Sequence, residues 1–189
     1  EISVMYLQRA IQFASVLGAP VVCTDESYRP DWVSLEEAWP IMTYTLKAVL
    51  RVADRYGIYL GIEPHQAISK TTDGLLRIAS LVDSPWLRIN YDTGNAYLAG
   101  EDIYAALEKV GNRLVHMHAK DISVAHSEAE RGKVTGTPVG CACGDGVVDW
   151  ARVIAIIKKH GFKGVLSVEC GSPEEAARSL AHLTPLVAG

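Results

Sequence analysis

"LVHMHAKD", residues 114–121, decides the fold. Side chains of a β-strand alternate between its two faces, so Val115, Met117 and Ala119 form one row and Leu114, His116 and His118 the other. An apolar row suits packing against helices, which leaves both imidazoles on the opposite surface. The same partition recurs in three more runs: Leu60 and Ile62 against Tyr59, Gly61 and Glu63; Leu87, Ile89 and Tyr91 against Arg88, Asn90 and Asp92; Leu166, Val168 and Cys170 against Val165, Ser167 and Glu169. The polar rows end in Glu63, Asp92, His118 and Glu169. An open doubly wound sheet is covered on both faces and favours apolar residues in both rows. A closed barrel gives each strand one row facing the lumen and places chemistry at the carboxyl ends of the strands. These four side chains are therefore expected to converge at a barrel mouth.

Working outward, helix-like and strand-like segments alternate. Ile2, Met5, Ile11, Ala14 and Leu17 predict a helix stopped at Gly18 before Pro20, and "VVCTD" (21–25) predicts a short strand. A long helix is predicted from about Ser34, its cap, to Tyr56, closed by Gly57 and split or kinked at Pro40. Then follow the strand "IYLGIEPH" (58–65), a helix over about Thr72–Leu81, the strand "LRINYDT" (87–93), a helix near Asp102–Val110 and the opening strand. A Gly-containing loop over 122–148, a helix from Asp149 to His160, the strand "GVLSVECG" (164–171) and a last helix from Pro173 complete the order. This alternation predicts an α/β fold with a parallel sheet of about five strands. A single domain over 1–189 is expected. The 122–148 loop is long for a compact domain and is expected to be mobile and functional.

The 189 residues are 49% apolar with a formal charge of −4, enough for a real core and without a basic face for nucleic acid. Cys23, Cys141, Cys143 and Cys170 are irregularly spaced, so a disulfide framework is not indicated and a reducing cytoplasm is expected. Cys141-Ala-Cys143 is read as incidental rather than as a redox or metal clip, and Trp39, Trp86 and Trp150 as packing residues. No apolar run approaches the roughly 20 residues needed to span a bilayer. The chain opens at "EISVMYLQRAIQFASVLGAP" (1–20) without a Met and directly in a helical pattern, so missing upstream sequence is expected.

Three carboxylates and an imidazole crowded together repel one another unless something positive sits among them. A divalent cation is the simplest remedy, and three oxygens with one nitrogen suit Mn²⁺, Mg²⁺ or Co²⁺ better than a thiolate-rich zinc site. The stretches "FASVLGAPVV" (13–22), "LGIEPH" (60–65), "INYDTGNAYLAGED" (89–102), "LVHMHAKD", "GDGVVDW" (144–150) and "GVLSVE" (164–169) together resemble the xylose isomerase-like barrels. That family includes sugar epimerases and isomerases, inosose dehydratases and apurinic endonucleases. The resemblance implies a (β/α)8 TIM barrel, present here in part as its fourth to eighth strands, since such barrels take about 250 residues. It also implies one divalent metal, Mn²⁺ first and Mg²⁺, Co²⁺ or Zn²⁺ as alternatives, held by Glu63, Asp92, His118 and Glu169. One departure stands out: the family often carries Asp-x-Gly-His, whereas Asp92-Thr-Gly-Asn95 offers an amide.

Such a site permits 1,2-isomerisation or epimerisation of a sugar or cyclitol through an enediolate, with Glu63 and Glu169 as the acid–base pair. The same parts make an inosose-type dehydratase if a β-hydroxyl is expelled, and a non-catalytic barrel fragment is the third alternative. His65 and Lys120, each two residues beyond a strand-end ligand, are candidates for substrate hydroxyls at the rim, with Asn95 and Arg131 as further substrate contacts. His116 is expected behind His118, holding a ligand by a hydrogen bond. Unpaired strands at either edge of a partial barrel invite association, so a homo-oligomer through the open edges is also expected.

Overall fold

The computed structural model describes residues 1–26, 28–133 and 139–189. Its five strands are β1 (Val21–Thr24), β2 (Tyr59–Ile62), β3 (Leu87–Asp92), β4 (Leu114–Ala119) and β5 (Val165–Val168). All pair in parallel in the order β1-β2-β3-β4-β5. The sheet curls, so that β2 and β4 approach each other although β3 lies between them. The architecture is the α/β half-barrel that the two-row pattern requires.

Helices α1 (Ile2–Leu17), α2 (Leu35–Tyr56), α3 (Thr72–Ile78), α5 (Ile103–Val110), α7 (Trp150–Lys159) and α8 (Pro173–Ala188) sit where periodicity puts them. Gly18 and Gly57 end α1 and α2 at φ 72° and 65°, a left-handed turn that costs glycine nothing. Pro40 neither splits nor ends α2. A Ser34–Glu37 capping box secures its start, and Leu46, Val49, Leu50 and Ala53 continue one buried stripe past the proline. One missing N–H near the start of a helix so anchored does not break it. The core lies between the convex face of the sheet, with Leu60, Ile62, Leu87, Ile89, Tyr91, Met117 and Ala119 all 2% exposed or less, and these helices.

Two short helices depart from the expectations. α4 (Thr93–Leu98) starts directly at the end of β3, capped by Asp92, and α6 (Val124–Glu130) lies inside the expected 122–148 loop, capped by Ser123. That segment therefore contains a short helix and a partly buried run over 140–148 rather than loop throughout; its residues 134–138 lie outside the described residues. Cys141 makes an antiparallel bridge with Asp121, and Ala142, Cys143 and Val148 are buried.

The reason is Asp121, which is 0% exposed. Its Oδ1 accepts from the amides of Ile122 (2.9 Å) and Val148 (3.0 Å), and its Oδ2 from those of Gly144 (2.9 Å) and Gly146 (3.3 Å) and from Trp150 Nε1 (2.9 Å). One buried carboxylate thus satisfies five donors and ties residues 144–150 to the end of β4. That is why the strand ends in Lys-Asp. Burial first, then Asp121's charge, pushes the neighbouring Cys141 thiol up to about 11, and burial pushes Cys143 up to about 12.

Candidate metal centre

The concave row of β2, β3, β4 and β5 delivers its ends to one place. His118 Nδ1 lies 3.3 Å from Glu63 Oε1, 3.3 Å from Glu169 Oε1 and 3.8 Å from Asp92 Oδ2. Donor atoms of Glu63, Asp92 and His118 fall within 4.8 Å of one another. Glu169 stands at the side of this trio because Lys120 Nζ, 2.7 Å away, draws its Oε2. Asn95, in the first turn of α4, donates its Nδ2 to Glu63 Oε1 at 3.2 Å and its backbone N–H to Asp92 Oδ1 at 2.8 Å.

The electrostatics follow from burial. Asp92 is completely buried, and desolvation, opposed by Lys120 and the Asn95 amide, pushes it up to about 7. Burial pulls His118 down, but its hydrogen bond to Glu63 and the charges of Glu63, Glu169 and Asp92 leave it raised overall. Burial likewise pushes Glu169 up, yet the Lys120 ammonium, helped by His118 and His65, holds it below the usual carboxylate range. The Lys120 ammonium and the His118 imidazole thus face the three carboxyl groups here.

The model of the family described as "Xylose isomerase-like TIM barrel" matches residues 1–186. The chain belongs to that family. A D-tagatose 3-epimerase-like protein of solved structure superposes with a TM-score of 0.79 at 26% identity, covering 96% of this chain and 67% of that one. An inosose dehydratase of Clostridium beijerinckii is 27% identical over 71% of the chain and 47% of its own length. A 3-oxo-isoapionate decarboxylase of Pectobacterium atrosepticum is 36% identical over 61% of the chain and 40% of its own length. The chain therefore spans about half the length of these two curated relatives. Among the described residues no helix is long and apolar enough to cross a membrane.

Within this family's barrel, the donor set fits a divalent cation. Asp92 Oδ2 is buried without a hydrogen-bond partner although it faces the His118 cluster, and three carboxylate oxygens with one imidazole are ligands for a hard cation. A cation must displace the proton that Asp92, pushed up to about 7, holds at and below that pH. Mn²⁺ affinity is therefore expected to fall as pH drops below about 7, by about tenfold per unit for each displaced proton, read by titration calorimetry at several pH values. An affinity flat between pH 8 and 6 would remove Asp92 from the ligand set.

The remaining candidates separate. Lys120 is 4% exposed and reaches Glu169, Asp92 (3.6 Å) and Asn95 (3.5 Å), so it is a buried part of the cluster and not a rim residue. Gly94 makes room for it: a Cβ there would lie 2.5 Å from Lys120 Cγ. Gly94→Ala is expected to lift Lys120 off Glu169 and weaken Mn²⁺ binding with helix content unchanged. His65 sits at the rim, its Nδ1 2.8 Å from Asp25 Oδ2, and its backbone N–H donates to Ser69 Oγ. Arg131 is not brought to the cluster. Its guanidinium stacks 4.0 Å from the Tyr97 ring and donates to the Glu101 carbonyl at 3.2 Å, which fixes the end of α6 to α4. His116 lies behind His118, the two rings 5.2 Å apart and edge to face. Sequence reasoning gave no role to Asn90, Ser167 or Asp25, although Asn90 and Ser167 share the parity of the ligands.

Proposed function

We propose that this chain carries the metal-binding, acid–base half of a divalent-cation-dependent enzyme that isomerises or epimerises a small sugar or cyclitol. The observation that carries this reading is the orphaned, buried Asp92 Oδ2 within a strand-end set that also holds Glu63, His118 and Glu169. When bound, Mn²⁺ or a similar cation supplies Lewis-acid polarisation of a carbonyl and so acidifies the adjacent C–H. The protein's own residues then manage the proton. Glu169, kept ionised by Lys120, takes it from one side of the substrate carbon, and Glu63, held by Asn95, returns one from the other. In the reverse direction the two exchange roles. Asn95 and His65 contact the flanking hydroxyls, while the buried Lys120 holds Glu169 from behind.

Curated relatives named inosose dehydratase, among them those of Clostridium beijerinckii and Bacillus licheniformis, favour a second reading, expulsion of a β-hydroxyl from the same enediolate. Incubation with ketoses and inososes, Mn²⁺ and D2O separates them. Isomerisation incorporates deuterium at one carbon and yields an isomer, whereas dehydration yields an absorbing enone or dione. Absence of both outcomes with every ketose and inosose tried would overturn the proposal.

A further inference from the structure

Beneath the candidate ligands, a line of hydrogen bonds crosses four lumen-facing side chains drawn from four strands or strand ends. Ser167 Oγ is 2.8 Å from His116 Nε2, His116 Nδ1 is 2.8 Å from Asn90 Oδ1, and Asn90 Nδ2 is 3.1 Å from Glu63 Oε2. Chemistry fixes the direction of every link. A carboxylate only accepts, so the amide nitrogen of Asn90 must face Glu63 and its oxygen must face His116. That oxygen can only accept, so His116 carries its proton on Nδ1. Nε2 is then a lone pair, which takes the Ser167 hydroxyl proton. The backbone is shaped to the same end: a register shift between Ile89 and Asn90 sets Asn90 opposite His116, and a Cβ at Gly61 would crowd the Asn90 Cβ and amide at 3.2 Å.

We infer that Asn90 is a positioning residue for Glu63, its amide aimed by His116 and Ser167 so that the carboxylate is held in one orientation toward cation and substrate. This rests on the acid–base reading of Glu63 given above. Histidine side-chain ¹⁵N NMR of the wild-type chain at neutral pH, assigned with His116→Asn, is expected to show His116 protonated on Nδ1 alone. An Nε2–H tautomer, with no proton on Nδ1, would overturn the inference whatever the enzyme's activity. Asn90→Ala is expected to weaken Mn²⁺ binding about tenfold and to lower the kcat of proton exchange about 10–100-fold, with KM changed less than about threefold. His116→Asn keeps an N–H donor where Nδ1 stood and is expected to stay within about threefold of wild type, while His116→Leu falls with Asn90→Ala. Equal losses in the two His116 variants would reduce His116 to packing and contradict the proposal. If the wild type exchanges no substrate proton, the functional reading fails alone; an Mn²⁺ affinity unchanged in Asn90→Ala would sink the positioning role as well.

Discussion

Glu169→Gln will abolish proton exchange while the chain stays folded. Glutamine keeps the shape of the side chain, and Glu169 is 38% exposed at the mouth, so the core does not depend on it. Three things are lost together: one of the two oxygens that face His118 (3.3 Å) and Lys120 (2.7 Å), the charge that pairs with Lys120, and the group that takes the proton. A positioned acid–base group contributes about 10²–10⁴-fold to rate, and a weakened cation site adds to that. Exchange is therefore expected to fall by at least about 10³-fold under Mn²⁺ saturation, with an unchanged circular dichroism spectrum. Activity within about tenfold of wild type would remove Glu169 from the chemistry.

Asp121→Ala is expected to be the most destabilising single change outside the site. It leaves four backbone amides and the Trp150 indole without their acceptor, and Ile122, Val148 and Trp150 among these donors are buried. Each unsatisfied buried donor costs about 1–3 kcal/mol, and relaxation of residues 140–150 recovers part of the sum. A loss of about 4 kcal/mol in urea unfolding is expected. Asp121→Asn should fall between, because its amide nitrogen opposes N–H groups that now find an oxygen. A loss below about 1 kcal/mol for alanine would mean that 144–150 holds its place without the carboxylate.

The rows of the sheet were legible because parity is written directly into a strand, and so the apolar face and the strand-end side chains that gather opposite it could be read together. What escaped were interactions whose partners lie far apart in sequence. Asp121 reads as a strand-end acid until Gly144, Gly146 and Trp150 fold back on it. Lys120 has the parity of His118, but its burial depends on Glu169 and on the room left by Gly94. α4 was missed because Asp92 does two things at once, capping a six-residue helix with Oδ1 while Oδ2 faces the cluster. The stacking of Arg131 on Tyr97 was not legible because nothing in its loop announces that ring. Pro40 misled because propensity was weighed without the capping box and the apolar stripe that carry α2 past it.

The central claim is that Glu63, Asp92, His118 and Glu169 hold one divalent cation. The direct test is the Mn²⁺ content of the purified chain after exposure and desalting, beside His118→Ala. About one Mn²⁺ per chain, lost in the variant, is the expected result. No retained metal in the wild type, or equal retention in His118→Ala, would contradict it.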